Sequence, residues 1–341
     1  MIKKINILFT AILSNGSTGF ELFKAFKNNK NIKIDSLFND TKSTLFKKNT
    51  IIARILWKLK LPYDEVDLNT KLLNYDLSNI DILFTIKGNT IRPSTLKNIK
   101  IKYPNLKLIS WSQDDMYAWH NRSIYYTFGL KYYDLVITQK SYNISELKQL
   151  GAKKVLFQNK AYSKYLHKRH TCNQYIYDII FIGDYEDDRF NKMLFLANHG
   201  LKINIFGPNW DRKIKIKHDN LIFSKPIIGE KYSEILSCSK ISLCFLKKAN
   251  RDLQTSRSME IPACGGFMVA ERTDEHKQLF EEDNEAVYFD TQEELLEKVK
   301  YYLEYEEERK KIAEAGYRKT REAGYSYDDR VEEMIKAINE I

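Results

Sequence analysis

The chain reads as an α/β protein with two open, parallel-sheet domains in tandem. Three observations predict this. A strand, a glycine-bearing polar turn and a helix open the chain, and the same alternation starts afresh at Tyr177. Between the two series, residues 162–175 are polar, basic and without periodicity, as a linker would be. A length of 341 residues, 43% of them apolar, suits two domains of moderate size, each with a core of its own.

In the first series, Lys4 to Thr10 is a buried-type strand, Ser14 to Gly19 a polar turn containing Gly16, and Phe20 to Asn28 a helix. The turn lacks a full GxGxxG, so it does not read as a dinucleotide site. Ile32 to Phe38 is the second strand. Ile51 to Leu59 and Lys71 to Leu77 follow as amphipathic helices. The first carries Ile55, Leu56, Trp57 and Leu59, with Leu61 just beyond it, beside Arg54, Lys58 and Lys60, which fits a helix packed on the sheet or one touching a membrane or an acceptor. Strand Ile80 to Ile86 and helix Arg92 to Tyr103 come next, with Pro93 placed for a first turn.

Strand Leu106 to Trp111 runs directly into Ser112-Gln113-Asp114-Asp115. Two carboxylates just past the end of a core strand stand where α/β enzymes place working side chains, and a paired site can hold one carboxyl as a base. One of the two is expected to cap a helix from Met116 to Ser123 and the other to work, with His120 and Trp119 a turn later. Tyr133 to Gln139, helix Asn143 to Leu150 and Lys153 to Gln158 complete this domain, taken as residues 1–160.

The second domain, residues 175–325, opens with strand Tyr177 to Ile182 and the loop of Gly183 to Arg189, where Arg189 fits either a ligand contact or surface pairing with Glu186, Asp187 and Asp188. Helix to Asn198, strands Lys202 to Phe206 and Leu221 to Ser224, helix Glu230 to Ser237 and strand Ile241 to Leu246 follow, the last leading into Lys247 and Lys248. Then comes the stretch Arg251 to Asp290: helix Ser256 to Ala263, a Cys264-Gly265-Gly266 break, and apolar Phe267 to Ala270. With Ser256 as N-cap, exposed helix amides together with Arg251 and Arg257 suit a phosphate or diphosphate, and Glu260 could accept from a ribose diol. An ordinary helix-turn-strand unit with solvated charges fits the same residues. Helices Gln292 to Tyr302 and Glu306 to Ala315 read as scaffold, and residues 326–341 as a terminal helix.

The 55 basic and 45 acidic residues leave a net charge of +10, with bases concentrated before residue 250 and Glu281 to Glu314 acidic. Such a field suits anionic substrates or surfaces. Lysines spread over many surface helices would produce the same balance. No apolar run reaches the ~18–20 residues of a membrane span, and Asn6 interrupts the opening segment as a signal peptide. Cys172, Cys238, Cys244 and Cys264 lie far apart and are expected to be free thiols in a reducing cytosol; no zinc-like spacing occurs.

The run RSMEIPACGGFMVAERTDEHKQLFEEDNEAVYFDTQEELLEKVKYYL, continued by Ala313 to Arg318, Tyr325 to Tyr327 and Arg330, resembles the C-terminal signature of CgeB-type glycosyltransferases, a branch of the GT-B superfamily. Trp111 to Asp115 is similar to that family's Trp-x-x-Asp-Asp element. The resemblance implies a GT-B fold, two Rossmann-like domains facing each other across a cleft, with acceptor side first and donor side second. It implies a nucleotide-sugar donor, an unidentified acceptor and a terminal helix that crosses back onto the first domain. It places Gly16 at the cleft, Gly183 and Arg189 at the diphosphate, and an acidic pair eight apart, Asp252 near the sugar and Glu260 on the ribose. With Lys247 and Ser256, these are the expected donor contacts; Asp114, Asp115 and His120 are the expected catalytic group. The chain contains no Asp-x-Asp, so sugar transfer without a metal or other cofactor is expected. No nucleic-acid partner is expected, and the location is expected to be cytoplasmic, with peripheral contact at the inner membrane face allowed. A fold that has lost turnover, as in a surface or spore-coat protein, and a sugar-nucleotide epimerase are the rival readings.

Overall fold

The computed structural model describes residues 4–11, 13–14, 16–38, 51–214 and 216–341. Residues 1–3, Ile12 and Asn15 of the opening segment, and the stretch 39–50 before the first amphipathic helix, lie outside the described residues. The chain divides into two compact units, Met1–Asn159 with Tyr327–Ile341, and Lys160–Ser326.

The first unit runs β1 (Ile5–Ala11), α1 (Thr18–Asn28), β2 (Ile32–Phe38), α2 (Ile51–Lys58), α3 (Leu68–Asn74), β3 (Ile82–Ile86), α4 (Pro93–Lys102), β4 (Lys107–Ser112), α5 (Ile124–Gly129), β5 (Leu135–Thr138), α6 (Asn143–Gln149) and β6 (Val155–Phe157). Its strands form one parallel sheet in the order β2-β1-β3-β4-β5-β6. The order reverses between β1 and β3, which makes their carboxyl ends the crevice of this sheet. Apolar runs such as Leu83 and Phe84 or Leu108 and Ile109 are completely buried, as strands covered by helices on both faces require.

The second unit runs β7 (Tyr177–Ile182), α7 (Asp187–Asn198), β8 (Ile203–Phe206), α8 (Trp210–Lys213), β9 (Leu221–Ser224), α9 (Glu230–Ser237), β10 (Ser239–Cys244), α10 (Ser256–Ala263), β11 (Met268–Glu271), α11 (Asp274–Leu279), β12 (Val287–Phe289), α12 (Gln292–Glu304) and α13 (Glu306–Glu322). Its parallel sheet has the order β12-β11-β10-β7-β8-β9 and reverses between β7 and β10. The last helix, α14 (Tyr327–Asn339), belongs to the first unit and packs against α1.

Four expectations are corrected. The second amphipathic helix starts at Leu68, because Asp64 accepts hydrogen bonds from the Leu68 and Asn69 amides and so begins the helix three residues early. No helix forms from Met116 to Ser123; the segment is bends and turns, and α5 begins only at Ile124. Helix α13 runs through Gly316 to Glu322, since a Cβ at Gly316 would lie 2.4 Å from the Glu285 carbonyl oxygen; the glycine permits close packing and does not end the helix. Finally, Cys172 and Cys238 are joined in a disulfide with their Cα atoms 5.6 Å apart, while Cys244 and Cys264 are free and buried. The cytoplasmic expectation loses the support it drew from four free thiols, since disulfides persist where the surroundings oxidise.

Candidate functional site

The loops after β7 and β10 flank the reversal point of the second sheet, and buried charge ties them together. The Glu186 carboxylate accepts the Lys248 and Ala249 amides at 3.1 and 2.9 Å. Arg189 is 2% exposed and donates to three main-chain carbonyls: Nε to Leu246 at 3.1 Å, Nη2 to Phe245 at 3.2 Å and Nη1 to Asp184 at 3.2 Å. Expected at the diphosphate, this guanidinium is instead spent on the ends of its own strands. Its affinity for its proton is lowered, first by burial and then by Arg257 nearby. Gly183 is equally committed. Its amide donates to Phe206 O at 2.8 Å, its carbonyl accepts from Trp210 Nε1 at 2.8 Å, and a Cβ would press on the Phe181 ring at 2.9 Å. Glu271, at the end of β11 and 6% exposed, accepts the Leu246 amide and pairs with Lys248 Nζ at 2.5 Å and Lys192 Nζ at 3.7 Å.

Helix α10 rises from this edge. Its N-cap is Thr255, and Ser256 occupies the first helical position instead of the expected cap. The Thr255 amide donates to Ser258 Oγ at 3.0 Å, Ser258 Oγ lies 2.7 Å from His276 Nε2, and His276 Nδ1 lies 2.7 Å from Glu271 O. A carbonyl accepts only, so Nδ1 carries the proton, and in the neutral imidazole Nε2 accepts from the serine hydroxyl. Burial pushes the His276 pKa down, in keeping with that state. This chain fixes the start of α10 to the end of β11; the Ser258 amide is capped by Thr255, and the amides before it have no intrahelical carbonyl to reach.

Two side chains of α10 remain for a ligand. Arg257 is half-buried and donates from Nη2 to Thr255 Oγ1 at 3.3 Å, while its Nε is buried with no partner among the described residues. Glu260, three residues on, has a side chain 15% exposed. Its Oε2 accepts the Tyr232 hydroxyl at 2.5 Å and its Oε1 lies 3.8 Å from His167 Nε2. Burial, and then the Glu260 charge, raise the Tyr232 pKa well above its ordinary value, so the phenol keeps its proton and donates. Asp252 shapes the preceding loop, accepting the Lys247 amide at 3.3 Å and Asn250 Nδ2 at 2.8 Å. Lys247 is exposed and lines a cavity of about 820 Å³ together with Tyr185, Glu186 and Lys213.

In the first unit, Gly16 adopts φ +78° in the turn after β1, and Ser17 caps α1. Asp115 is fully buried. Its Oδ1 accepts the Tyr117 and Ala118 amides at 3.1 Å each and Asn143 Nδ2 at 2.9 Å. Of the two adjacent carboxylates it is therefore the one that holds the turn, and Asn143 in turn receives the Met116 amide. Asp114 has a side chain 26% exposed and is paired with Lys87, which follows β3. His120 is exposed, and its carbonyl accepts Lys60 Nζ at 3.3 Å.

Tyr232, His276, Glu186, Glu271 and Lys87 were not singled out from the sequence. Each meets its partner across at least 18 residues of chain, apart from any local spacing pattern. Among the described residues no three His, Cys, Asp or Glu side chains are grouped to hold a metal ion, and no helix is long and apolar enough to cross a membrane.

Residues 189–336 match the glycosyl transferase-like family model. No curated protein matches the chain in sequence. Among solved structures it is similar to an alpha-glucosyltransferase in complex with UDP-glucose and DNA containing an abasic site (TM-score 0.67, 15% identity, 98% of this chain and 99% of that one). It is also similar to sucrose-phosphate synthase from Thermosynechococcus elongatus (TM-score 0.64, 10% identity, 99% of each). A third similar structure is Anabaena Alr3699/HepE in complex with UDP and glucose (TM-score 0.61, 10% identity, 98% of this chain and 100% of that one). At such identities these likenesses establish the GT-B fold.

Proposed function

We propose that the chain transfers a sugar from a nucleoside diphosphate donor to an acceptor, as a glycosyltransferase of the CgeB type, without a metal. One observation carries this reading. Helix α10 presents an arginine whose buried Nε lacks a partner among the described residues and, one turn further, a glutamate aimed by a half-buried tyrosine, within the stretch that matches the glycosyl transferase-like family. Glu260 would take the ribose hydroxyls. Arg257, Lys247 and the first amides of α10 would meet the diphosphate and stabilise the negative charge that grows on it as the sugar–phosphate bond breaks. Asp252 would lie near the sugar. Two structural relatives hold UDP-glucose or UDP, which makes uridine diphosphate sugars the first donors to test.

An inverting reaction needs a base from the first unit, and Asp114 fills that role in this reading. Lys87, which follows β3, pairs with it. Asp115 would act through the turn, and His120 would touch the acceptor. Donor turnover in excess EDTA tests the scheme. Activity should persist, and Asp114→Asn should lower the rate about 100-fold or more with donor affinity nearly kept. Loss of turnover in EDTA, restored by manganese or magnesium, would reject the metal-free mechanism. A folded protein that binds UDP sugars yet never turns them over would favour the non-catalytic rival, and an epimerised donor sugar would favour the epimerase.

A further inference from the structure

Beyond the nucleotide site, the first unit exposes an apolar face at the end of α2 and on the Trp119 loop. Ile55 is 50% exposed, Leu59 56%, Tyr63 58% and Trp119 56%. Ile55 and Leu59 are one helical turn apart, and the Leu59 amide still donates to Ile55 O at 2.9 Å. Lys60 connects the end of α2 to the loop that carries Trp119. Its carbonyl accepts the Ile124 amide at 2.8 Å, its Nζ donates to His120 O at 3.3 Å, and that Nζ lies 5.9 Å from the Trp119 ring. The exposed apolar residues at the end of α2 and the Trp119 indole are thus parts of one surface. Large side chains gathered in this way mark an interaction site.

The run from Ile51 to Tyr63 carries charge of one sign, and acids begin just beyond it at Asp64, Glu65 and exposed Asp67. Residues 51–63 contain Arg54, Lys58 and Lys60 and no carboxylate, and both Arg54 and Lys58 are exposed. The Arg122 guanidinium lies 5.5 Å from the Trp119 ring centre. The nearest following acid, Asp64, is turned onto α3, where it accepts the Leu68 and Asn69 amides. Aliphatic side chains, an exposed indole and interleaved cations are the complement of a lipid interface: the apolar groups enter the acyl boundary, the indole sits at headgroup level, and the cations meet anionic headgroups. A neutral glycan would stack on Trp119 without using the helix, and would gain nothing from Arg54, Lys58 and Arg122. We infer that this face, centred on Ile55, Leu59 and Trp119, docks the protein on an anionic membrane surface.

The test is co-sedimentation of the full chain with vesicles of phosphatidylcholine alone and of phosphatidylcholine mixed with phosphatidylglycerol. Binding is expected to the mixed vesicles only and to weaken as salt is raised. Ile55→Glu combined with Leu59→Glu, and separately Trp119→Ser, should each reduce vesicle binding about tenfold or more. Lys58→Glu should reduce it about fivefold. Circular dichroism should show all variants folded, since the positions are exposed. UDP affinity of the Ile55/Leu59 variant, measured by calorimetry, should equal that of the parent, so a failure here is separable from a failure of the nucleotide assignment. Absence of binding to mixed vesicles, equal binding to neutral ones, or full binding by the variants would overturn the inference. So would an effect of Trp119→Ser confined to the KM of a soluble acceptor.

Discussion

The carboxyl edges of the two sheets are built in contrasting ways. In the second unit, ionic and hydrogen-bonding groups, most of them buried, knit the loops together: Glu186 on two amides, Arg189 on three carbonyls, Glu271 on an amide and two lysines, and the Thr255–Ser258–His276 chain. In the first unit, the loop after β4 turns about Asp115 and Asn143 and leaves Trp119 and His120 exposed. A site that binds a fixed nucleotide gains from an edge held in one geometry, because little ordering is then left for the ligand to impose. A site that admits varied partners tolerates open, exposed side chains. The difference shows why charged residues at a strand end cannot all be read as ligand contacts: most of those in the second unit build the edge.

If that is so, the largest effect belongs to Arg189→Ala. It strands the buried Phe245 and Leu246 carbonyls and removes the guanidinium 3.8 Å from Glu186, and should cost about 3–5 kcal/mol of stability, seen as a large fall in the thermal midpoint. Arg189→Lys should recover little, because one ammonium cannot reproduce a planar fork. Unchanged stability with a selective loss of UDP affinity would return Arg189 to the diphosphate and erase the contrast.

Next in size is His276→Phe, which leaves the Ser258 hydroxyl and the Glu271 carbonyl without their buried partner. A loss of about 2–3 kcal/mol is expected. The pH dependence has a definite sign. The folded-state pKa of His276 lies below the unfolded value of about 6.5, so the unfolded chain binds a proton that the folded one refuses. The contribution of the neutral imidazole is therefore complete above about pH 6.5 and declines as pH falls below it. Unfolding of parent and variant at pH 8 and pH 5 should show the gap between them narrow at the lower pH; a constant gap would mean that the histidine is not held neutral.

Tyr232→Phe should have the smallest effect on folding and a clear one on the ligand. Without the phenol, Glu260 loses its fixed orientation, and nucleotide affinity should weaken by about 1–2 kcal/mol. Identical UDP titration curves for parent and variant would show that Glu260 needs no such guide.

Alternating strands and helices made the fold legible in the sequence, as uninterrupted apolar runs between turn residues announce parallel strands. Helix α10 was legible too, to within its cap, because the polar stretch before Met259 and the Gly265 break, where φ is +73°, are local signals. What local signals could not carry was the destination of each charge. Arg189 beside Glu186, Asp187 and Asp188 looks in sequence like either a phosphate contact or a solvated pair, and two of its three carbonyl partners lie 56 and 57 residues away. The pairing of Cys172 with Cys238 spans 66 residues and follows from geometry alone. The helix expected after Asp115 failed for a similar reason. Asn143, brought in from α6, closes the turn around that carboxylate before a helix can start.

The central claim, that the donor nucleotide lies on α10, is tested most directly by calorimetric titration of UDP and of uridine into the parent, Glu260→Ala and Arg257→Ala proteins. Glu260→Ala should weaken both ligands by about 1.5–3 kcal/mol, as expected for hydrogen bonds from ribose to a carboxylate. Arg257→Ala should weaken UDP while leaving uridine nearly unchanged, because the guanidinium meets only the phosphates. Unaltered binding of both ligands by both variants would place the nucleotide elsewhere and contradict the account.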